Sequence, residues 1–331
     1  MLCKKNTYHI NIGLLSSYRT ELMGIAALLI IICHAPVYEV SMPGSLAKIL
    51  GTLGCGVDIF LFLSGMGMYN SYSNHLKKGS SLLQWWSKRY LRIIVPCLLI
   101  IIPIKCWNPS HTPVDWGNLL LELSGFGLGI SPLWFVTSIL FLYLITPIIS
   151  FVLRGKHRTW LCVGLSLFCF VIAYPPHSLN ESLAFMVQRW PSYLLGWALA
   201  NAIKESKDVS IWLAVVSPLV AYVLLYFLNH RYGFHFSLFW LQGISLMMIC
   251  AKLLEYMATQ RRLLAFFAFM GVLSLESYVT NEYVIRSLYY FSWEVAGVFI
   301  NPGNYTLYIG GTFLCIGVSY MVNKVAKAIL K

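Results

Sequence analysis

An all-α bundle of about ten membrane-crossing helices, with both termini on the cytoplasmic side, is the fold this sequence predicts. Three observations predict it. The 331 residues are 58% hydrophobic and only 11% charged, against ~25% charged in ordinary soluble domains, and the mean hydropathy is +0.71. The apolar residues gather into ten runs, each near the ~20 residues that cross a bilayer. The basic residues occupy every second connection between those runs, which is how cytoplasmic loops are marked.

Taken in order, the runs are centred near Leu29, Leu61, Leu99, Leu142, Leu167, Leu195, Leu219, Met247, Val279 and Gly311. The first follows a polar start carrying Lys4, Lys5 and Arg19. No small-residue cleavage site follows that run cleanly, so it is expected to be an uncleaved anchor. Lys77, Lys78, Lys88, Arg89 and Arg92 separate the second run from the third. Arg154, Lys156 and Arg158 separate the fourth from the fifth, Lys204 and Lys207 the sixth from the seventh, and Lys252, Arg261 and Arg262 the eighth from the ninth. Lys324, Lys327 and Lys331 close the chain. The other connections hold Pro and interfacial aromatics: Trp107 to Pro109, Tyr174 to Pro176 and Trp293 to Pro302. Asp115 to Gly129 reads as a short interfacial or re-entrant helix, broken at Gly125, Gly127 and Gly129. One membrane domain over residues 1–331 is expected.

The net charge of +12 does not mark a nucleic-acid binder, because it lies in loops between apolar runs. Nine cysteines are scattered, mostly within those runs, with neither a CxxC pair nor Cys/His metal spacing, so no metal is expected.

Five segments carry polar chemistry where lipid would penalise it. His34 lies near the outer end of the first run; an ionisable group in a membrane faces a bundle interior or a wet cavity, and imidazole is the commonest general base. Helix capping is its plain alternative. Asp58 starts the second run, with Ser64 and Gly65 after it. A buried carboxylate needs a partner, and Asp58 can either orient an imidazole by accepting its N–H or favour a helix N-terminus. Lys88, Arg89 and Arg92 stand at the mouth of the third run. Arg89 and Arg92, spaced i, i+3, share one helix face and suit either a polyphosphate or anionic lipid. Leu133-Trp134-Phe135 opens the fourth run and reads as an interface anchor on spacing alone. Ser274, Glu276, Tyr278, Asn281 and Glu282 crowd the ninth, either lining a cavity or bonding neighbouring helices.

In order, these segments resemble the acyltransferase 3 family of integral membrane acyltransferases. The first-span signature is met by Leu22-Met23-Gly24-Ile25-Ala26-Ala27 ending at His34, and the second by Gly56-Val57-Asp58-Ile59-Phe60 through Ser64-Gly65. The Arg-x-x-Arg element is met by Arg89 and Arg92 with Pro96 after it, the Leu-Trp-Phe element by Leu133-Trp134-Phe135, and the late segment by Ser274-Leu275-Glu276-Ser277-Tyr278 through Asn281. The resemblance implies transfer of an acyl group, most often acetyl, from acyl-CoA to a hydroxyl of a cell-envelope polysaccharide or glycolipid, in the inner (cytoplasmic) membrane. His34 would be the catalytic base, with Asp58 beside it. Arg19, Lys88, Arg89 and Arg92 would hold acetyl-CoA, and Ser64, Trp134, Glu276, Tyr278 and Asn281 would face the acceptor. Membrane lipids and the glycan acceptor are the expected partners, nucleic acid is not, and a homo-oligomer is left open. Two positions depart from the family pattern. Met23 stands where a basic residue is usual, with Arg19 one turn earlier on a similar face, and Asn281 stands in place of a histidine. An amide can hydrogen-bond but cannot act as a base.

Arg19 and His34 are fifteen residues apart, ~22 Å along a continuous helix, a gap a long donor such as CoA can bridge. A transporter or flippase for a lipid-linked glycan, and a non-catalytic member of the same fold, remain the alternatives. The first predicts movement of substrate without use of acetyl-CoA.

Overall fold

The computed structural model describes residues 8–79, 81–106, 117, 132–155, 157–173, 181–232, 237–285, 293–295, 298–300 and 305–331. The chain is a helical membrane protein. Its principal helices are α1 (Arg19–Val37), α2 (Gly56–Lys78), α3 (Leu82–Cys106), α4 (Trp134–Leu144), α5 (Thr146–Val152), α6 (Arg158–Ile172), α7 (Trp190–Lys204), α8 (Ser217–Tyr232), α9 (Phe239–Tyr256), α10 (Arg261–Val272), α11 (Ser274–Thr280) and α12 (Tyr305–Ile329). A helix lies at each of the ten expected centres.

Among the described residues, four helical segments are long and apolar enough to cross a membrane: Arg19–Val37, Gly44–Lys78, Trp212–Tyr232 and Thr306–Ile329. The number rises to six if α4 with α5, bent by 57°, and α10 with the helix that follows it, bent by 63°, each count as one span. Fewer segments than the ten expected spans meet this measure of length and composition, in part for two physical reasons. The 15-residue helices α6 and α7 reach only ~22 Å, short of a ~30 Å hydrocarbon core. The 25-residue α3 is long enough but carries Lys88, Arg89, Arg92 and Lys105. The connections around Trp107–Pro109, Asp115–Gly129 and Tyr174–Pro176, and most of Trp293–Pro302, lie outside the described residues.

Two minimal antiparallel pairs interrupt the helical pattern. β1 (His9–Asn11) pairs with β2 (Asp208–Ser210), and β3 (Trp293–Val295) with β4 (Val298–Ile300). The first ties the chain's start to the connection after α7, where the Asn11 amide also donates to the Ser206 carbonyl at 2.9 Å.

Glycines set the two tightest helix crossings. A Cβ on Gly65 of α2 would stand 2.1 Å from the Tyr193 carbonyl of α7, and one on Gly196 would stand 2.0 Å from the Phe62 carbonyl. Gly24 of α1 and Gly271 of α10 meet the same way, each 1.9 Å from a carbonyl of the other helix, Phe267 and Thr20. In a membrane, where apolar side chains gain little by leaving lipid, such close backbone approach is a main source of helix association. These crossings fix α2 on α7 and the Arg19 half of α1 on α10.

Candidate active site

The first of the two polar centres forms at the Val37 end of α1. His34 Nδ1 lies 2.7 Å from Asn281 Oδ1, and its Nε2 lies 3.1 Å from Glu282 Oε1. Both side chains of the His34–Glu282 pair stay partly open, at 16% and 14% exposure, so a substrate group can reach them. Tyr38, just past the end of α1, packs edge-on against the imidazole at 6.1 Å, and its hydroxyl donates to the Asn281 carbonyl at 3.4 Å.

Asn281 and Glu282 both face His34 because of the local backbone. In an α-helix consecutive residues point ~100° apart. Here α11 ends at Thr280 and continues as a π-helical turn, Asn281–Ile285. The wider turn reduces the angle between neighbours and brings both side chains toward one ring. Such turns often mark functional sites.

Asp58 does not take the place expected beside the imidazole. Its Oδ1 accepts from Ser192 Oγ at 2.7 Å, and its Oδ2 is bonded by Arg189 Nη1. This pair is shut from solvent, at 1% and 3% exposure. Arg189 also donates to the Gly54 carbonyl at 3.3 Å and is walled by the rings of Phe239, Phe185 and Trp134, at 4.3, 5.0 and 5.9 Å. With both carboxylate oxygens engaged, Asp58 joins α2 to α7; the carboxylate that meets His34 is Glu282.

The second centre lies at the Arg19 end of α1. Arg19 Nε and Nη2 donate to the Leu63 carbonyl of α2, each at 3.4 Å. The absence of a side chain at Gly67 makes room for this guanidinium, since a Cβ there would sit 3.0 Å from Nη2. Arg89 Nη2 donates to Ser71 Oγ at 2.5 Å, which also accepts from Trp85 Nε1 at 3.0 Å. Tyr143 of α4 hydrogen-bonds Ser64 and lies within electrostatic reach of Arg19, Arg89 and Arg92. Among the described residues none of these three arginines has a carboxylate partner within ion-pair distance, and Arg89 Nε is buried without a hydrogen-bond partner. Three guanidiniums so close repel one another unless an anion joins them, and their donors are suited to phosphate.

The structure therefore brings Arg19, Arg89, Arg92 and Ser64 together, and separately His34 and Asn281. Lys88 is exposed on α3 and outside the cluster. Glu276, expected on the acceptor side, accepts from Asn323 Nδ2 at 2.7 Å and ties α11 to α12. Tyr278 donates to the Pro132 carbonyl at 2.8 Å and packs on Phe135, while Trp134 belongs to the wall around Arg189. Sequence reasoning passed over Tyr143, Ser71, Arg189 and Tyr308, and it placed Glu282 among the polar residues of the ninth run without giving it a role. Only the π turn gives Glu282 its direction toward His34.

Among the described residues no three His, Cys, Asp or Glu side chains gather to hold a metal ion. The chain matches the family model Acyl_transf_3, described as an acyltransferase domain, over residues 22–323. Comparison with curated proteins and with solved structures gives no match in either.

Proposed function

The chain belongs to the acyltransferase 3 family, and from that premise we propose that it moves an acyl group, acetyl in the simplest case, from acyl-CoA to a hydroxyl of a cell-envelope polysaccharide or glycolipid in the inner membrane. The observation that carries this reading is the His34–Glu282 pair at 3.1 Å, one helix-length from a cluster of arginines that have no carboxylate partner among the described residues.

The chemistry follows from what each centre can do. Arg19, Arg89 and Arg92 grip the phosphates of the donor at the cytoplasmic face, with Tyr143 and Ser64 lining that mouth. Because α1 is an unbroken helix from Arg19 to Val37, fifteen residues separate the phosphate grip from His34, ~22 Å, and the pantetheine arm spans that gap. The acceptor hydroxyl is a poor nucleophile until its proton leaves. As its oxygen attacks the thioester carbonyl, the proton passes to His34, and Glu282 stabilises the imidazolium, the role a carboxylate plays beside histidine in acyl-transfer triads. The tetrahedral intermediate collapses, the C–S bond breaks, and the thiolate of CoA takes the proton back from His34. One ester forms, one thioester is consumed and CoA leaves as the thiol. We propose ten crossings with cytoplasmic termini, the bilayer thinning around the short helices.

Mass analysis of envelope glycans from cells carrying the wild-type chain, against cells carrying His34→Ala at equal membrane levels, tests the proposal. The expected result is loss of one acyl mass in the variant. An unchanged glycan spectrum, with substrate still crossing the membrane, would point to transport.

A further inference from the structure

We propose that Ser71 is a phosphate-binding residue: its hydroxyl donates to the 3′-phosphate of coenzyme A, the phosphate farthest from the thiol, and Trp85 holds it in that orientation. This rests on the reading that the arginine cluster binds the acyl-CoA donor, and it gives one end of that cluster to one phosphate.

A serine hydroxyl has one proton to give and two lone pairs to fill. Both lone pairs of Ser71 are taken by groups that only donate, Arg89 Nη2 at 2.5 Å and Trp85 Nε1 at 3.0 Å. Neither can accept the hydroxyl proton. Elsewhere on the helices Ser17, Ser87, Ser166 and Ser217 give theirs to the carbonyl four residues back. Ser71 makes no such bond, and among the described residues no other acceptor takes its proton. The side chain is only partly buried, so a ligand can reach it. Its neighbour decides the kind of acceptor. Arg89 Nε, on the guanidinium that already holds Ser71, is buried without a partner. A group that takes protons from both must be rich in acceptors and negatively charged. A phosphate monoester is both, with three strong acceptor oxygens.

The orientation of the hydroxyl comes from Trp85. That indole is buried, with its ring centroid 5.3 Å from Tyr72 and 5.8 Å from His75, so its N–H keeps one direction and one lone pair of Ser71 stays occupied. Position along α2 identifies the phosphate. The helix runs antiparallel to α1: Gly56 meets Ala26, and Gly67 meets the Arg19 guanidinium. Arg19 donates to Leu63, one turn before Gly67. Ser71 lies one turn beyond Gly67 on the same face, ~6 Å further along the axis and farther from His34. A donor whose thioester reaches toward His34 therefore passes Arg19 before it reaches Ser71. Coenzyme A carries its phosphates in that order, the diphosphate next to pantetheine and the 3′-phosphate beyond it on the ribose. Arg19 then faces the diphosphate, and Ser71 with Arg89 faces the 3′-phosphate.

Calorimetric titration of the full-length protein in neutral detergent with CoA and with dephospho-CoA, which lacks only the 3′-phosphate, tests the assignment. Wild type should bind CoA about tenfold or more tighter than dephospho-CoA, the weight of a charge-assisted contact. Ser71→Ala should weaken CoA by about tenfold and dephospho-CoA by less than about twofold. Ser71→Thr keeps the hydroxyl and should keep the preference, provided both variants are as monodisperse as wild type. Trp85→Phe frees one lone pair of Ser71 and lets its proton turn, so it should narrow the preference with dephospho-CoA affinity unmoved; a merely structural loss would lower both together. A lipid headgroup is the other source of phosphate. Titrations repeated in micelles doped with phosphatidylglycerol should show the same preference, and its loss in wild type would give the hydroxyl to lipid and overturn the assignment. Equal weakening toward both ligands in Ser71→Ala, or none toward either, also overturns it and leaves the donor site standing. A wild-type protein that binds neither ligand sinks the donor reading itself, and the assignment with it.

Discussion

His34 meets Glu282, not Asp58, although Asp58 stands in the clearest of the sequence motifs. The imidazole and the Glu282 carboxylate lie 3.1 Å apart and are both reachable from outside the bundle, whereas Asp58 is sealed against Arg189 and Ser192. The two carboxylates therefore separate into one that can respond to a substrate and one that holds two helices together. That division makes the substitutions below behave differently.

Glu282→Gln should lower kcat by about 10- to 100-fold, because a neutral amide no longer stabilises the imidazolium, within the range that general acid–base groups contribute. The donor KM should stay where it is. Steady-state acyl transfer in detergent or proteoliposomes reads both constants; a raised KM with an intact kcat would move Glu282 to a binding role.

Arg89→Ala should raise the donor KM by about 10- to 100-fold, the weight of a charge-assisted phosphate contact, and make it less dependent on salt. Arg89→Lys should recover only part, since an ammonium does not reproduce the guanidinium fork. Arg19→Ala should act in the same direction, because Arg19 and Arg89 border one site. Binding of a non-hydrolysable CoA analogue by calorimetry checks all three, and unchanged affinity in Arg19→Ala ends its claim to the place that Met23 leaves without a basic side chain.

Asp58→Asn and Arg189→Met should each destabilise the protein by roughly 3–5 kcal/mol, the usual cost of stranding one member of a buried pair. The double variant Asp58→Leu/Arg189→Met should regain part of that loss, because no unpaired charge remains. Thermal unfolding followed by size-exclusion chromatography in detergent distinguishes the outcomes. A stable but inactive Asp58→Asn would instead give Asp58 a part in the chemistry.

Much of this architecture was legible in the order of residues. Apolar runs and the placement of Lys and Arg located a helix at every expected centre, because both follow from the cost of polar groups in lipid. The arginine cluster was legible for the same reason: Arg89 and Arg92 share a helix face, and a continuous first helix puts Arg19 at the same end. The histidine's partners were not. Glu282 turns toward His34 through a π-helical turn, and Arg189 reaches Asp58 from 131 positions away; neither leaves a periodic trace. Helix lengths also escaped: the bend at Ile145 stands just before Pro147, which cannot continue the hydrogen bonds of α4, while no proline marks the bend at Leu273.

Gly65→Ala should prevent the chain from folding normally. The added methyl would meet the Tyr193 carbonyl at 2.1 Å, and neither backbone can yield without parting α2 from α7. Expression level and monodispersity in detergent are the readouts. Gly164→Ala, where a Cβ meets nothing within 4 Å, is the matched control and should be neutral within about 0.5 kcal/mol.

Sealed inverted vesicles supplied with labelled acetyl-CoA on their cytoplasmic face, together with an envelope-glycan acceptor, test the central claim most directly. The account predicts that wild-type vesicles incorporate label, that His34→Ala vesicles bind the donor as tightly as wild type yet incorporate none, and that Arg89→Ala vesicles lose binding first. Incorporation at the wild-type rate by His34→Ala, or incorporation only when the donor is trapped on the opposite side, would contradict it.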